Sequence, residues 1–307
     1  MKKLRYYCVM KKFILSVGLI FTILIPVCVH AQQDSVLRRQ IAQIAKPVKG
    51  IVGVSILSLE GRDTLTYNGK ARLVMHSVMK FPIALTVLHL VDTGKLSLTQ
   101  MVHIKKRDLE KGAYSALRDK YPKGDVDLSI SELLNYMVSL SDNSACDILL
   151  KLIGGPQHVQ AYLLQLGIRG IAVRASEADM ASAWELQFAN WAKPYEMTLL
   201  LDQFYSGKVL TKSSTGFLYK LMTETTTGPN RIKGLLPAGT VVAHKTGTSG
   251  TDANGVTPAT NDVGIITLPN GKHIAIAVFV CNSTNDEATR EGVIANIAKA
   301  AYDFYSK

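Results

Sequence analysis

The sequence predicts an α+β protein. One antiparallel sheet is built from both chain ends and flanked by terminal helices, and an all-helical domain is inserted between the two halves. Three observations lead there. β-rich runs occupy 51–67 and return only from Val241 to Cys281. Helix periodicity with start and stop residues dominates from Val78 to Leu221. A helical pattern also lies outside each β block, at 34–45 and from Asp286 to Tyr305. Strand blocks at the two chain ends pair most economically as one layer, leaving the middle as a neighbouring body.

Taken in order, 34–45 reads as an amphipathic helix with Val36, Leu37, Ile41 and Ile44 on one side. Ile51–Leu59 and Thr64–Tyr67 form a hairpin across Glu60-Gly61-Arg62-Asp63. Four helices follow. They are Phe81–Val91 closing at Gly94, Ile130–Leu140 capped by Ser129, Ala145–Ile153 ending at Gly154-Gly155, and Pro156–Leu166 ending at Gly167. The strands Val241–Ala243, Val263–Leu268 and Ile274–Cys281 complete the sheet, the last two joined through Asn270-Gly271. The expected organisation is a leader at 1–31, a sheet domain at 32–76 and 224–307, and a helical domain at 77–223.

The chain has 307 residues, 47% apolar and 19% charged, which excludes a disordered or collagen-like protein. Its net charge of +11 is partly a targeting feature. Lys2, Lys3, Arg5, Lys11 and Lys12 precede an uncharged run from Phe13 to Val29, and Val29-His30-Ala31 follows. This is the pattern of a secretory signal peptide cleaved after Ala31, with Met1 or Met10 as the start. The competing reading is a retained anchor, for which the run is at the short end of the roughly 17–25 residues required. No acid precedes Asp34, so the mature chain keeps +6 of the +11. It has no long basic run or basic-aromatic stripe, and nucleic-acid binding is unsupported. Cys146 and Cys281 remain after cleavage. They could pair in an oxidising compartment, but the apolar helical run around Cys146 favours a buried free thiol.

Three motifs carry chemistry. Ser77-Val78-Met79-Lys80 opens a helix, and one turn brings the Lys80 amine to the Ser77 hydroxyl, which is a poor nucleophile without a base. Ser141-Asp142-Asn143 lies between two helices. Lys245-Thr246-Gly247 lies on a strand, where a glycine implies close approach to the backbone. Each alone has an ordinary reading: a helix cap beside a solvated lysine, a polar turn, a strand end. A phosphate loop at Gly239–Thr246 is excluded because His244 stands where its second glycine belongs. No cluster has zinc-ligand spacing, so neither metal nor cofactor is expected.

Together, in this order, the motifs resemble the S-x-x-K, S-D-N and K-T-G elements of the penicillin-recognising serine enzymes. The likeness covers the mature chain. It is nearest to the class A β-lactamases of the Bacteroides-type extended-spectrum subgroup, the PER and VEB enzymes. The strings that carry it are Ser77-Val78-Met79-Lys80-Phe81-Pro82, Cys146-Asp147-Ile148-Leu149-Leu150, Thr225-Thr226-Thr227-Gly228 and Val242-Ala243-His244-Lys245-Thr246-Gly247-Thr248-Ser249-Gly250. The resemblance implies that Ser77 is acylated, with the backbone N–H groups of Ser77 and Thr248 as oxyanion hole. It makes Ser141 a proton relay to the lactam nitrogen and Asn143 a contact for the acyl amide. Lys245, Thr246, Thr248 and Ser249 would line the substrate, Arg231 would assist at its carboxylate, and Tyr114 would stand at the cleft mouth.

Glu177, on an Ω-shaped loop, matches the general base that activates water for deacylation. The loop departs from the common class A pattern. Ala175 and Asn190 replace the Arg/Asp pair that closes it, with Arg174 one position away. Ala178 replaces a proline, and Ala181 replaces the residue that helps to hold the water, so that either Ser182 or a backbone group takes over or deacylation is slowed. His76 and Ser249 stand where carbapenem-hydrolysing relatives often have paired cysteines. The resemblance thus implies a monomeric periplasmic hydrolase of penicillins and cephalosporins, including oxyimino-cephalosporins, with carbapenems poor substrates. A penicillin-binding DD-peptidase and a membrane-held β-lactam sensor, both acylated without turnover, are the alternatives.

Overall fold

The structure, a computed structural model, describes residues 36–109 and 114–307. The expected signal peptide, with cleavage after Ala31, lies outside the described residues. No helix among the described residues is long and apolar enough to cross a membrane.

A five-stranded antiparallel sheet has the order β2-β1-β10-β9-β8, with β1 at Ile51–Ser58, β2 at Thr64–Tyr67, β8 at Val242–Thr248, β9 at Thr257–Thr267 and β10 at His273–Ser283. The first strand pairs directly with the last, from Ile51 opposite Cys281 to Ser58 opposite Ile274, so the two chain ends meet in mid-sheet. Both faces are covered. Along β10, Ile274, Ile276, Val278 and Val280 pack against the terminal helices α1 (36–45) and α10 (Glu287–Tyr305). Ala275, Ala277, Phe279 and Cys281 face the opposite core. This period-two division is what the pleat imposes, and each large apolar side chain so buried contributes about 1.5–3 kcal/mol. On α1, Leu37 and Ile41 are fully buried but Val36 is half exposed, and Ala45 takes the inward place instead.

The turn between β9 and β10 is a three-residue loop. Gly271 N–H donates to Leu268 O, and Gly271 has φ +77°. Glycine supplies the left-handed residue that a hairpin of this kind needs.

The second core surrounds α2 (Lys80–Asp92), buried on every side from Lys80 to Leu88 and packed among α4 (Ile130–Ser139), α5 (Asn143–Leu152), α6 (Pro156–Gln165) and α9 (Lys212–Thr223). Ser129 caps α4 in a reciprocal capping box with Glu132, as its sequence predicts. α8 (Pro194–Tyr205) lies across β1 and β10.

Two small sheets interrupt the helical middle. β4 (Met101–Lys105) pairs with β5 (Gly124–Ser129), and β3 (Leu73–Val74), β7 (Trp191–Ala192) and β6 (Ile171–Ala172) form a third ladder. β3, β6 and β7 have only two residues each, too few for alternation to be read, whereas β4 and β5 do alternate, with Val102, Ile104, Val126 and Leu128 on the more buried side. Pairing across a long sequence gap is what creates the two-residue strands.

Candidate active site

The Ser77 segment is seated in the core around α2, with Met75, Val78 and Met79 all buried there. His76–Met79 is a single 3-10 turn that runs into α2 at Lys80. Gly247 of β8 lies against it, and a Cβ at that position would come within 2.2 Å of the Met75 carbonyl oxygen. The close approach inferred for this glycine is therefore made by the protein's own 75–78 turn. From β9, the Asn261 amide also holds this segment, donating to Val74 O at 2.7 Å and Met75 O at 3.2 Å.

Lys80 is fully buried and has four oxygens around its Nζ: Ser77 Oγ at 3.0 Å, Ser141 O at 2.8 Å, Asn143 Oδ1 at 2.6 Å and Glu177 Oε1 at 2.8 Å. An ammonium has three N–H donors, so four acceptors compete for three protons. Glu177 Oε1 is left without a well-directed hydrogen bond, although it lies at ion-pair distance.

Ser141 adopts φ +59°, costly for a residue with a side chain, and its surroundings hold it there. Its carbonyl accepts from Lys80 and its hydroxyl from Lys245 Nζ at 2.8 Å. Asp142 is the capping residue of this turn. Buried at the start of α5, it accepts from Ala145 N, Leu117 N and Ser115 Oγ, which leaves Ser141 and Asn143 directed at Lys245 and Lys80.

On β8, Lys245 and Thr246 are buried and Thr248 is exposed at the strand end. Arg231 is itself buried. Its guanidinium pairs with Glu291 at 2.9 Å and donates to Asn261 O and to Thr248 Oγ1 at 2.8 Å. It therefore stands behind Thr248. Tyr114 is 56% exposed at the rim, with its carbonyl accepting from Asn143 N. Ser249 Oγ accepts from Ala259 N at 2.9 Å. Ser77, Lys80, Ser141, Asn143, Glu177 and Lys245 thus form one connected group, with Thr248 and Arg231 linked to each other at the end of the same strand.

Residues 36–305 match the family described as the β-lactamase enzyme family. The chain belongs to this family. It is 46% identical to β-lactamase VEB-1 of Pseudomonas aeruginosa over 94% of this chain and 95% of that one. To the extended-spectrum β-lactamase PER-1 of the same organism it is 42% identical, covering 90% and 89%. The crystal structure of a β-lactamase from Chitinophaga pinensis superimposes with a TM-score of 0.85 at 50% identity, covering 87% of this chain and 98% of that one. The protein is a class A serine β-lactamase.

The Ω loop of this β-lactamase is closed in a way its sequence leaves open. Asn190 is fully buried. Its Oδ1 accepts from Arg174 N at 2.7 Å and Ala175 N at 3.0 Å, and its Nδ2 donates to Ala175 O at 2.8 Å. One amide bonded to the backbone does what an Arg/Asp ion pair would do, and Arg174 contributes only its N–H. At the loop entry, Asp147 accepts from Glu177 N and Ala178 N, both at 2.8 Å, at the start of α7 (Glu177–Ser182). A carboxylate at a helix start satisfies N–H groups that otherwise have no acceptor. Asp147 is four residues after Asn143 on α5, a spacing that signals a shared face, but only the fold brings Glu177 there. The Glu177–Ala178 peptide is trans.

Ser182 does not replace the side chain missing at Ala181. It is exposed and donates its hydroxyl to Asp179 O. Cys146 and Cys281 are buried, unpaired thiols. Among the described residues no group of acids, histidines or cysteines could hold a metal ion.

Proposed function

We propose that this β-lactamase is a periplasmic enzyme that opens penicillins and cephalosporins, oxyimino-cephalosporins included, through a Ser77 acyl-enzyme hydrolysed by Glu177-activated water. The observation that carries the reading is the buried contact of Glu177 with Lys80, itself 3.0 Å from Ser77 Oγ. A carboxylate so held supports the reading of Glu177 as the base for the ester that acylation would create. Ser77 Oγ attacks the lactam carbonyl carbon and its proton passes to the Lys80–Glu177 pair. The oxyanion is held by the N–H groups of Ser77 and Thr248. The C–N bond breaks, and the nitrogen takes a proton through Ser141, which Lys245 orients. Glu177 then removes a proton from water, whose oxygen attacks the ester. The ester C–O bond breaks and Ser77 regains its proton.

Asn143 Nδ2 suits the acyl amide, while Lys245, Thr246 and Thr248 suit the substrate carboxylate; Ser249, expected to line the substrate, has its hydroxyl held by Ala259. Arg231 supports Thr248 from behind, and Tyr114 borders the entrance. The extended-spectrum name of PER-1 supports the oxyimino reading, and the leader sequence supports export. Intact-mass measurements on purified protein mixed with a penicillin, with cefotaxime and with imipenem test the proposal. The first two should return to free enzyme as substrate disappears. A permanently acylated protein would instead mark a transpeptidase or sensor, and efficient imipenem turnover would refute the proposed spectrum.

Lys245 sets the alkaline limit. Its burial, with Lys80 nearby, pulls its pKa well below the ordinary lysine value, against the opposing pull of Asp262 and Glu177. Its charge is therefore lost at a lower pH than the ordinary value of about 10.4. Affinity for the anionic substrate should fall as pH rises through that lowered value. Stability moves the other way: between the lowered and ordinary pKa the unfolded chain binds the extra proton, so the Lys245 contribution to stability rises with pH. The expected result is an alkaline loss of kcat/KM, seen mainly in KM, with no parallel loss of Tm from this group. A Lys245→Met variant, already weak, should lack that limb.

Ala181 lies one helical turn from Glu177 and presents no polar group. An Ala181→Asn variant should deacylate about tenfold faster in single turnover, the worth of one well-placed hydrogen bond. An unchanged rate would mean that the water is held without this position.

A further inference from the structure

His76, the residue before Ser77, has φ +45°, a left-handed conformation that persists in a side-chain-bearing residue only where its surroundings hold it. Its ring Nε2 lies 2.8 Å from Gln187 Oε1. Gln187 is 3% exposed, in the 3-10 turn Trp184–Ala189 of the Ω loop, and its own Nε2 donates to Trp184 O at 2.8 Å. A carbonyl only accepts, so the Gln187 amide oxygen must face His76, and the imidazole must be the donor through Nε2–H. Burial pushes the His76 pKa down, against the bond to Gln187 and the nearby Glu177 carboxylate, and Lys80 adds to the lowering. At neutral pH the ring is therefore the neutral Nε2–H form.

The backbone prepares this contact. Leu73–Val74 pairs with Trp191–Ala192, and Met75 N–H donates to Asn190 O at 3.0 Å. The nucleophile segment and the loop exit thus run as one short ladder, which the His76–Gln187 bond extends towards the middle of the loop. Ser249 faces other partners, since its hydroxyl is held by Ala259 of β9. The residue before the nucleophile is therefore tied to the loop that carries Glu177.

We infer that His76 and Gln187 form a side-chain clasp that fixes the middle of the Ω loop to the nucleophile turn, and so sets the position of Glu177 relative to the acyl ester. Both are positioning residues, and the inference rests on Glu177 as the deacylating base. The clasp acts on the second half-reaction, because Asn261, Asn190 and Lys80 hold the Ser77 turn without it.

Gln187→Met removes the acceptor at similar volume. His76→Gly removes the donor and also relieves the backbone strain. His76→Gln keeps a donor of similar reach. With a penicillin, the first two variants should slow single-turnover deacylation at least tenfold while the second-order acylation rate stays within about threefold of the parent. His76→Gln should restore deacylation to within about threefold. Deacylation at the parental rate in Gln187→Met or His76→Gly would overturn the clasp. So would an equal fall in both rates, or a lowered Tm with the ratio of the two rates unmoved. Glu177→Gln measured alongside separates the two ideas. Parental deacylation in that variant refutes the base assignment, whereas slow deacylation there with a parental rate in Gln187→Met refutes only the clasp.

Discussion

Glu177→Gln is expected to trap the acyl-enzyme. The amide keeps the shape of the carboxylate and an oxygen towards Lys80, and the two Asp147 bonds that hold the start of α7 go to backbone N–H groups that the substitution leaves in place. The amide cannot take a proton from water. General-base catalysis of this kind contributes about 10²–10⁴-fold, so deacylation should fall by that factor while acylation falls much less. Intact mass after mixing with benzylpenicillin should show a persistent adduct of the full mass of the antibiotic, where the parent returns to its free mass. Full turnover by the variant would remove Glu177 from the mechanism.

Lys80→Met should damage both chemistry and fold. Lys80 is the one cation within ion-pair distance of Glu177 Oε1 among the described residues. Without it the buried Glu177 carboxylate has no countercharge within ion-pair distance among the described residues. Breaking a buried pair by removing one partner costs about 3–5 kcal/mol, and for a protein of this size Tm should fall by on the order of 10 °C. Acylation should fall by at least about 10²-fold, because Ser77 loses one member of the Lys80–Glu177 pair that takes its proton. The double variant Lys80→Met/Glu177→Gln supplies the control. It removes the unpaired charge and should recover most of the lost stability while staying inactive. If the double variant is as unstable as Lys80→Met alone, the stability loss does not arise from the uncompensated carboxylate.

Much of the fold is legible in the sequence because short-range rules dictate it. The alternation of β10, the Ser129–Glu132 capping box and the glycine in the last hairpin each follow from residues within a few positions of one another. The three motifs are legible for a related reason: a serine and a lysine three apart on a helix must lie on one face. Their joint meaning came from their order along the chain and from family resemblance. The residues that escaped notice act across long separations. Asp147 is ordinary until Glu177 is laid on it, and Gln187 is one polar loop residue among several until His76 meets it. Asn190 reads as the loss of an ion pair, although its amide closes the loop through three backbone bonds. Ser182 shows the reverse error: the neighbouring hydroxyl looked like a substitute for the side chain absent at Ala181, but helix geometry turns it towards Asp179.

The sequence by itself therefore determined the class of protein and the pairing of its two ends in one sheet, and it pointed to the serine, the lysines and the glutamate proposed for the chemistry. These rest on patterns of hydrophobicity and on covalent spacing, which the chain carries before it folds. The tertiary structure decided that Lys80 serves four oxygens with three protons, that Arg231 backs Thr248 without lining the site directly, and that the Ω loop is held by amides and a carboxylate. Hydrogen bonds and ion pairs depend on distances of about 3 Å and on direction. Such distances between segments a hundred residues apart are set only when the cores on both faces of the sheet have packed.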